Sequence, residues 1–114
     1  MITRQVNGGP LVDPEGNPLS GVRVSFELID CAGNPMVEVD SFSGDVISGY
    51  VSVITDAGGL FVVGLWPNSR GVSPTQYRCT IGQPNVSPFL IQVPESSNPL
   101  AIFDAMSAGG LPPC

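Results

Sequence analysis

The side chains able to do chemistry in this chain are ten carboxylates, four arginines, three cysteines and a scatter of hydroxyls and aromatics; histidine and lysine are both absent. Without histidine there is no common general base, no Ser-His-Asp or Cys-His nucleophile and no usual metal ligand. Without lysine there is no Schiff base. Carboxylate pairs remain, as in glycoside hydrolysis, which needs two carboxyls facing each other across a cleft. The spacing speaks for another role. Asp13, Glu15, Asp30, Asp45 and Asp56 fall at turns or at the ends of strand-like runs, where an aspartate accepts hydrogen bonds from backbone amides. Asp13 and Glu15 in DPEGN offer oxygens to a calcium ion but lack the ligand count of a calcium loop. No catalytic residue, metal or cofactor is expected, and the chain reads as a non-enzyme.

The glycine-rich stretch TDAGGLFVVGLWPN, 55–68, poses the same choice between chemistry and structure. A phosphate loop needs a helix opening after its glycines. Here a β-branched and aromatic run follows, stopped by Pro67. The stretch therefore reads as a turn feeding a strand, with Asp56 accepting amide hydrogen bonds and either Gly58 or Gly59 taking a positive φ. In the same way Asp13 and Gly16 shape the DPEGNP turn. Cys31, Cys79 and Cys114 are odd in number and without metal-ligand spacing, so free, core-packed thiols are the expectation, with a Cys31 to Cys79 bridge left open. Asn85-Val86-Ser87 matches a glycosylation acceptor by chance in a chain that opens without a signal-peptide core.

Behind these residues stand short strands punctuated by turns. In 21–29, Val22, Val24, Phe26 and Leu28 alternate with Arg23, Ser25 and Glu27, so one face is apolar and one wet. A second run, 46–55, passes through a tight hairpin at 56–59 into 60–66, whose Phe61, Val63 and Leu65 face the core. Leu60, Val62 and Trp66 occupy the opposite face, where polar residues belong on a half-exposed strand. That face wants a cover, either the segment LAIFDAM (100–106), which has the look of a short helix, or another copy of the chain. Further strands are expected at 77–81, with Cys79 inward, and at 89–93. The architecture predicted is all-β, a single antiparallel β-sandwich of about seven strands over residues 1–106, with 107–114 as a flexible tail.

Charged residues make up 12% of the 114 residues, and the net charge is −6, where about 25% charged is usual. A surface so poor in charge points to association, so a homo-oligomer is expected. Arg4, Arg23, Arg70 and Arg78 cannot form the basic stripe that nucleic acid requires, and no apolar run approaches the ~20 residues of a membrane span.

Two motifs, GPLVDPEGNPLSGVRVSFEL (9–28) and VITDAGGLFVVGL (53–65), resemble the carboxypeptidase-regulatory-like or transthyretin-like β-sandwich family, a prealbumin-like and Ig-like arrangement, over roughly residues 7–93. LWPNSRGVSPTQYRCTI (65–81) looks like small modules in virion proteins of tailed bacteriophages. One branch of this fold hydrolyses hydroxyisourate with histidines, an arginine and a terminal YRGS; Tyr77-Arg78-Cys79-Thr80 echoes that motif, but the chain has no histidine and the activity does not carry over. The Lys-Asn isopeptide bond of similar adhesin modules is ruled out by the lack of lysine. The resemblance implies a structural or attachment protein of a phage virion, made in the host bacterial cytoplasm and placed in the tail or tail fibre. Its partners are other virion proteins and its own copies, with Leu60, Val62, Trp66 and Arg70 as interface residues. The alternatives are a capsid-surface decoration protein and a carbohydrate-binding module that takes a host surface glycan through Trp66 or Tyr50.

Overall fold

Four aspartates organise the loops of this protein. In the computed structural model, which describes residues 2–84 and 86–106, three of them lead the same five-residue turn. Asp13, Asp30 and Asp56 each donate their amide to the carbonyl four residues on, and their carbonyls accept from the glycine three residues on (Gly16, Gly33, Gly59). Each carboxylate Oδ1 accepts two further amides, at the second and fourth following residues, at 2.9–3.0 Å. The glycines sit at φ +87°, +90° and +77°, a region closed to most side chains. The amide of Asn17, with those of Glu15 and Gly16, also holds the Asp13 carboxyl below the usual range. The fourth aspartate, Asp40, leads a longer version that closes on Gly44 and Asp45. Asn85 and residues 107–114, including Cys114 and the expected tail, lie outside the described residues.

The described residues form nine strands: β1 (Arg4–Gly8), β2 (Arg23–Ile29), β3 (Glu38–Val39), β4 (Val46–Ile47), β5 (Tyr50–Ile54), β6 (Phe61–Leu65), β7 (Gln76–Ile81), β8 (Phe89–Ile91) and β9 (Leu100–Ala101). A five-residue helix, α1 (Ile102–Met106), follows β9. The fold is all-β and mostly antiparallel. One sheet has the order β6-β1-β9, another β5-β2-β7-β8, and β3 and β4 pair by themselves. β1 and β9 run parallel, the single exception among these pairings, so the fully antiparallel arrangement expected from sequence does not hold.

The alternation read in β2 is the spine of the core. Val24, Phe26 and Leu28 are buried, and in the β6-β1-β9 sheet so are Val6, Phe61, Val63 and Leu65, all in one core cluster. Across the ladder Val24 stands opposite Ile81, Phe26 opposite Cys79 and Leu28 opposite Tyr77, so β7 adds its own inward row. The 46–55 run is not one strand. Gly49, at φ +87°, breaks it, sending β4 to pair with β3 and β5 to pair with β2. Nor is 56–59 a hairpin, because β5 and β6 belong to different sheets and the turn carries the chain across the core. The LAIFDAM segment splits into β9 and α1, which packs against β8 and β1 and buries Ala105. It leaves Leu60 and Val62 uncovered.

Cys79 is a free, fully buried thiol, so no Cys31 to Cys79 bridge forms; Cys31, against expectation, is itself disulfide-bonded. Burial pushes the Cys79 thiol up to about 12, whereas an unfolded thiol ionises near about 8.5. A raised folded value means that the stabilisation is complete below about pH 8.5 and is lost as pH climbs toward about 12. The urea midpoint should fall over that window. At pH 8 the native chain should resist alkylation at Cys79, and peptide mapping after denaturation should find it fully reactive.

Candidate interaction surface

Asp40, Trp66 and Arg70 meet inside the molecule. Arg70 lies in a 3-10 turn (Asn68–Arg70) after Pro67. Its Nε donates to Asp40 Oδ2 at 2.7 Å and its Nη2 to Oδ1 at 3.1 Å, a two-pronged ion pair whose side chains are 7% and 0% exposed. Trp66 Nε1 adds a third bond to Oδ2 at 2.9 Å, and the amides of Phe42 and Ser43 complete the shell on Oδ1. The Arg70 guanidinium, outweighing the cost of burial, holds the Asp40 carboxyl well below the usual range with help from those amides and the indole. Asp40, with Glu95 Oε2 at 2.9 Å from Nη1, raises Arg70 in turn.

This clasp is fixed on every side. Tyr77 donates its hydroxyl to the Trp66 carbonyl at 2.6 Å, and burial pushes that phenol above its ordinary range. Asn68 bridges Val93 and Thr75, while Ser41 donates its amide to the Arg70 carbonyl at 2.7 Å. Glu38 accepts the amides of Val39 and Ser73. No buried side-chain nitrogen or oxygen among the described residues lacks a partner, and the bonds of this cluster tie the 38–45 loop to the 66–75 segment.

What it holds up is apolar and exposed. The Phe42 ring, at the tip of the β3–β4 loop, is 77% exposed and lies 4.6 Å from the Arg70 guanidinium carbon, a cation–π contact. Val39 pairs with Val46 on the outward side of the hairpin, opposite to the inward Glu38 and Ile47. Val72 follows the bridge between Asp40 and Gly71, and Val37 lies two residues before Val39. All four valines are exposed. One aromatic and four valines are thus exposed on the segments that the Asp40–Arg70 clasp joins.

The expected interface residues divide. Leu60 and Val62 stay exposed on the outer face of β6, as alternation requires. Trp66, 3% exposed, and Arg70 are interior. β6 ends at Leu65 and Pro67 follows, so strand alternation lapses and the indole turns in to Asp40. Trp66 is out of reach of a glycan; Tyr50, 70% exposed, is not. Asp13, Gly16, Asp56, Gly58 and Gly59 do turn work, Gly59 being the one with positive φ and Gly58 donating its amide to Asp56. Phe42 is an exposed residue that strand periodicity does not single out; its mark in the sequence is an aromatic inside a Ser-Gly-Asp loop, SFSGD, where no strand could bury it.

Two clefts open between the elements. One, of about 220 Å³, is apolar and lies between β5 and β6 over Phe26, Leu65 and Trp66. The other, of about 230 Å³, is lined by Asn68, Ser73, Thr75 and Gln92. Neither sets two facing carboxyls. Among the described residues no group of three or more His, Cys, Asp or Glu could hold a metal ion, and no helix is long and apolar enough to cross a membrane. A scan of protein-family models and a search of curated proteins each returned no match.

Proposed function

We propose that this chain is a non-enzymatic structural module of a tailed-bacteriophage particle, associated with the tail or tail fibre, that works by packing against other virion proteins and against its own copies. The observation that carries the packing role is the exposure of Phe42 and four valines on segments tied together by the buried Asp40–Arg70 ion pair. Interfaces draw their affinity from a few aromatic anchors, and an anchor already held in place loses little freedom on binding. The ionisable groups nearest the patch are all engaged in internal bonds, which leaves shape and apolar area as what the surface offers. The setting in a virion comes from the resemblance of 65–81 to phage modules, and with it the two larger sheets are taken as the layers of one transthyretin-like sandwich.

Mass spectrometry of particles purified from the producing host tests this reading. The chain should be present at a constant ratio to the tail proteins, and a Phe42→Ser, Val46→Lys double variant with unchanged circular dichroism should be depleted at least about tenfold. Particles that lack the wild-type chain overturn it.

A further inference from the structure

We infer that β5 is the self-association edge of this protein, and that two copies pair it antiparallel about a two-fold axis at Ser52, merging two four-stranded sheets into one. The inference builds on the packing role proposed above and adds to it the partner, the strand and the register.

β5 is the outer strand of its sheet. The bonds from Leu28 N to Gly49 O and from Thr55 N to Val22 O show that the odd-numbered residues of 49–55 point their backbone groups toward β2. By the alternation of an antiparallel ladder, the N–H and C=O groups of Tyr50, Ser52 and Ile54 point away from the sheet. Such a row is a template for another strand unless something blunts it. The other edges are blunted. β8 has three residues after Pro88 and carries α1, β9 has two residues and runs into α1, and β6 stops just short of Pro67. Among the described residues no strand pairs with the outer side of β5, and residues 46–55 hold no charge and no proline.

The edge is complementary to itself. With the axis at Ser52, Ser52 meets Ser52 of the second copy and Tyr50 meets Ile54, so every outward donor faces an outward acceptor without a shift, about six bonds in all. On the outer face each Tyr50 packs on a β-branched partner, a favourable cross-strand pair. Glu27 flanks Tyr50 and Arg23 flanks Ile54 in the β2 ladder, so the carboxylate row of one copy leads to the guanidinium row of the other, and no like charges face each other. On the inner face Val51 meets Val53. Val51 is 43% exposed at the mouth of the apolar cleft, and this pairing closes that mouth. A foreign strand would gain the backbone bonds but would have to match the side-chain rows by its own sequence; the second copy matches them by symmetry. In a chain of net charge −6, self-contact is also least opposed where charge is absent.

Sedimentation equilibrium of the full chain should show a dimer. Ile54→Lys puts a charge on the edge, and Ser52→Pro removes an outward N–H that β2 does not use. Each should keep its circular dichroism spectrum and weaken dimerisation by at least about tenfold. Ser52→Cys should form a covalent dimer under mild oxidation beyond the level of wild type or of the exposed control Ser96→Cys, because an axial hydrogen-bonded pair sets its Cα atoms about 5.5 Å apart, within disulfide reach. A wild-type monomer at high concentration, or a dimer indifferent to all three substitutions, overturns the inference. The particle experiment is separate, since a monomeric chain found in virions sinks the self-pairing alone, and a β5 dimer missing from virions sinks the virion setting alone.

Discussion

Phe61→Ala should lower the unfolding free energy by about 3 to 5 kcal/mol, read from urea denaturation with an unchanged m-value. The ring is 6% exposed and meets Phe26 of the other large sheet, its centroid 6.2 Å from that of Phe26 at a 48° tilt. It also lies directly over Gly8 on the neighbouring strand, where any side chain would collide with it. Gly8, the residue paired with Phe61, has no side chain to fill the space, so the cavity term should be near the upper end of its range. A double-mutant cycle with Phe26→Ala should give a coupling of about 0.5 to 1.5 kcal/mol for the aromatic pair. A cost below about 1 kcal/mol for the single substitution would mean that the sheets are not joined through this ring.

Asp40→Asn should be the most damaging change of a polar residue, lowering the melting temperature by more than about 10 °C. The substitution keeps the size of the side chain but leaves the Arg70 guanidinium without its main counter-ion in an enclosed site. An amide NH2 can then face donors where a carboxylate oxygen accepted from Trp66, Phe42 and Ser43. The wild-type pH profile should carry the same signature. The carboxyl titrates well below its usual range in the folded chain, while an unfolded aspartate titrates near about 3.9. A depressed folded value means that the unfolded state binds the proton first, so the stabilisation is present above about pH 4 to 5 and is lost as pH falls further. Thermal unfolding between pH 3 and pH 7 should show that acid-side fall in wild type and a flatter profile in Asp40→Asn. The exposed patch should suffer too, because the Phe42 and Ser43 amides are tied to this carboxylate and the Phe42 ring rests on Arg70.

Much of this protein is local, and local features are legible in a sequence. The Asp-x-x-Gly turns close within five residues through the aspartate's own oxygens and a positive-φ glycine, so DPEGN and DAGGL announce themselves. The alternation in 22–28 is equally plain, because a strand with one buried face must repeat every second residue. The missing histidine and lysine excluded whole classes of chemistry before any fold was known. Other features depend on which distant segments meet. Asp40 and Arg70 are 30 residues apart and nothing near either names the other; only the packing of the β3–β4 loop against the turn after β6 makes Arg70 an internal clamp and Phe42 an exposed tip. The same holds for Trp66, whose direction is set by Asp40 once Pro67 has ended the strand, and for 46–55, whose uniform β-branched pattern conceals the break at Gly49. The composition of 50–54 says that it is a strand, but whether a strand lies inside a sheet or at its edge is decided by pairing at long range, and only the folded chain shows that β5 is the outer strand of its sheet among the described residues.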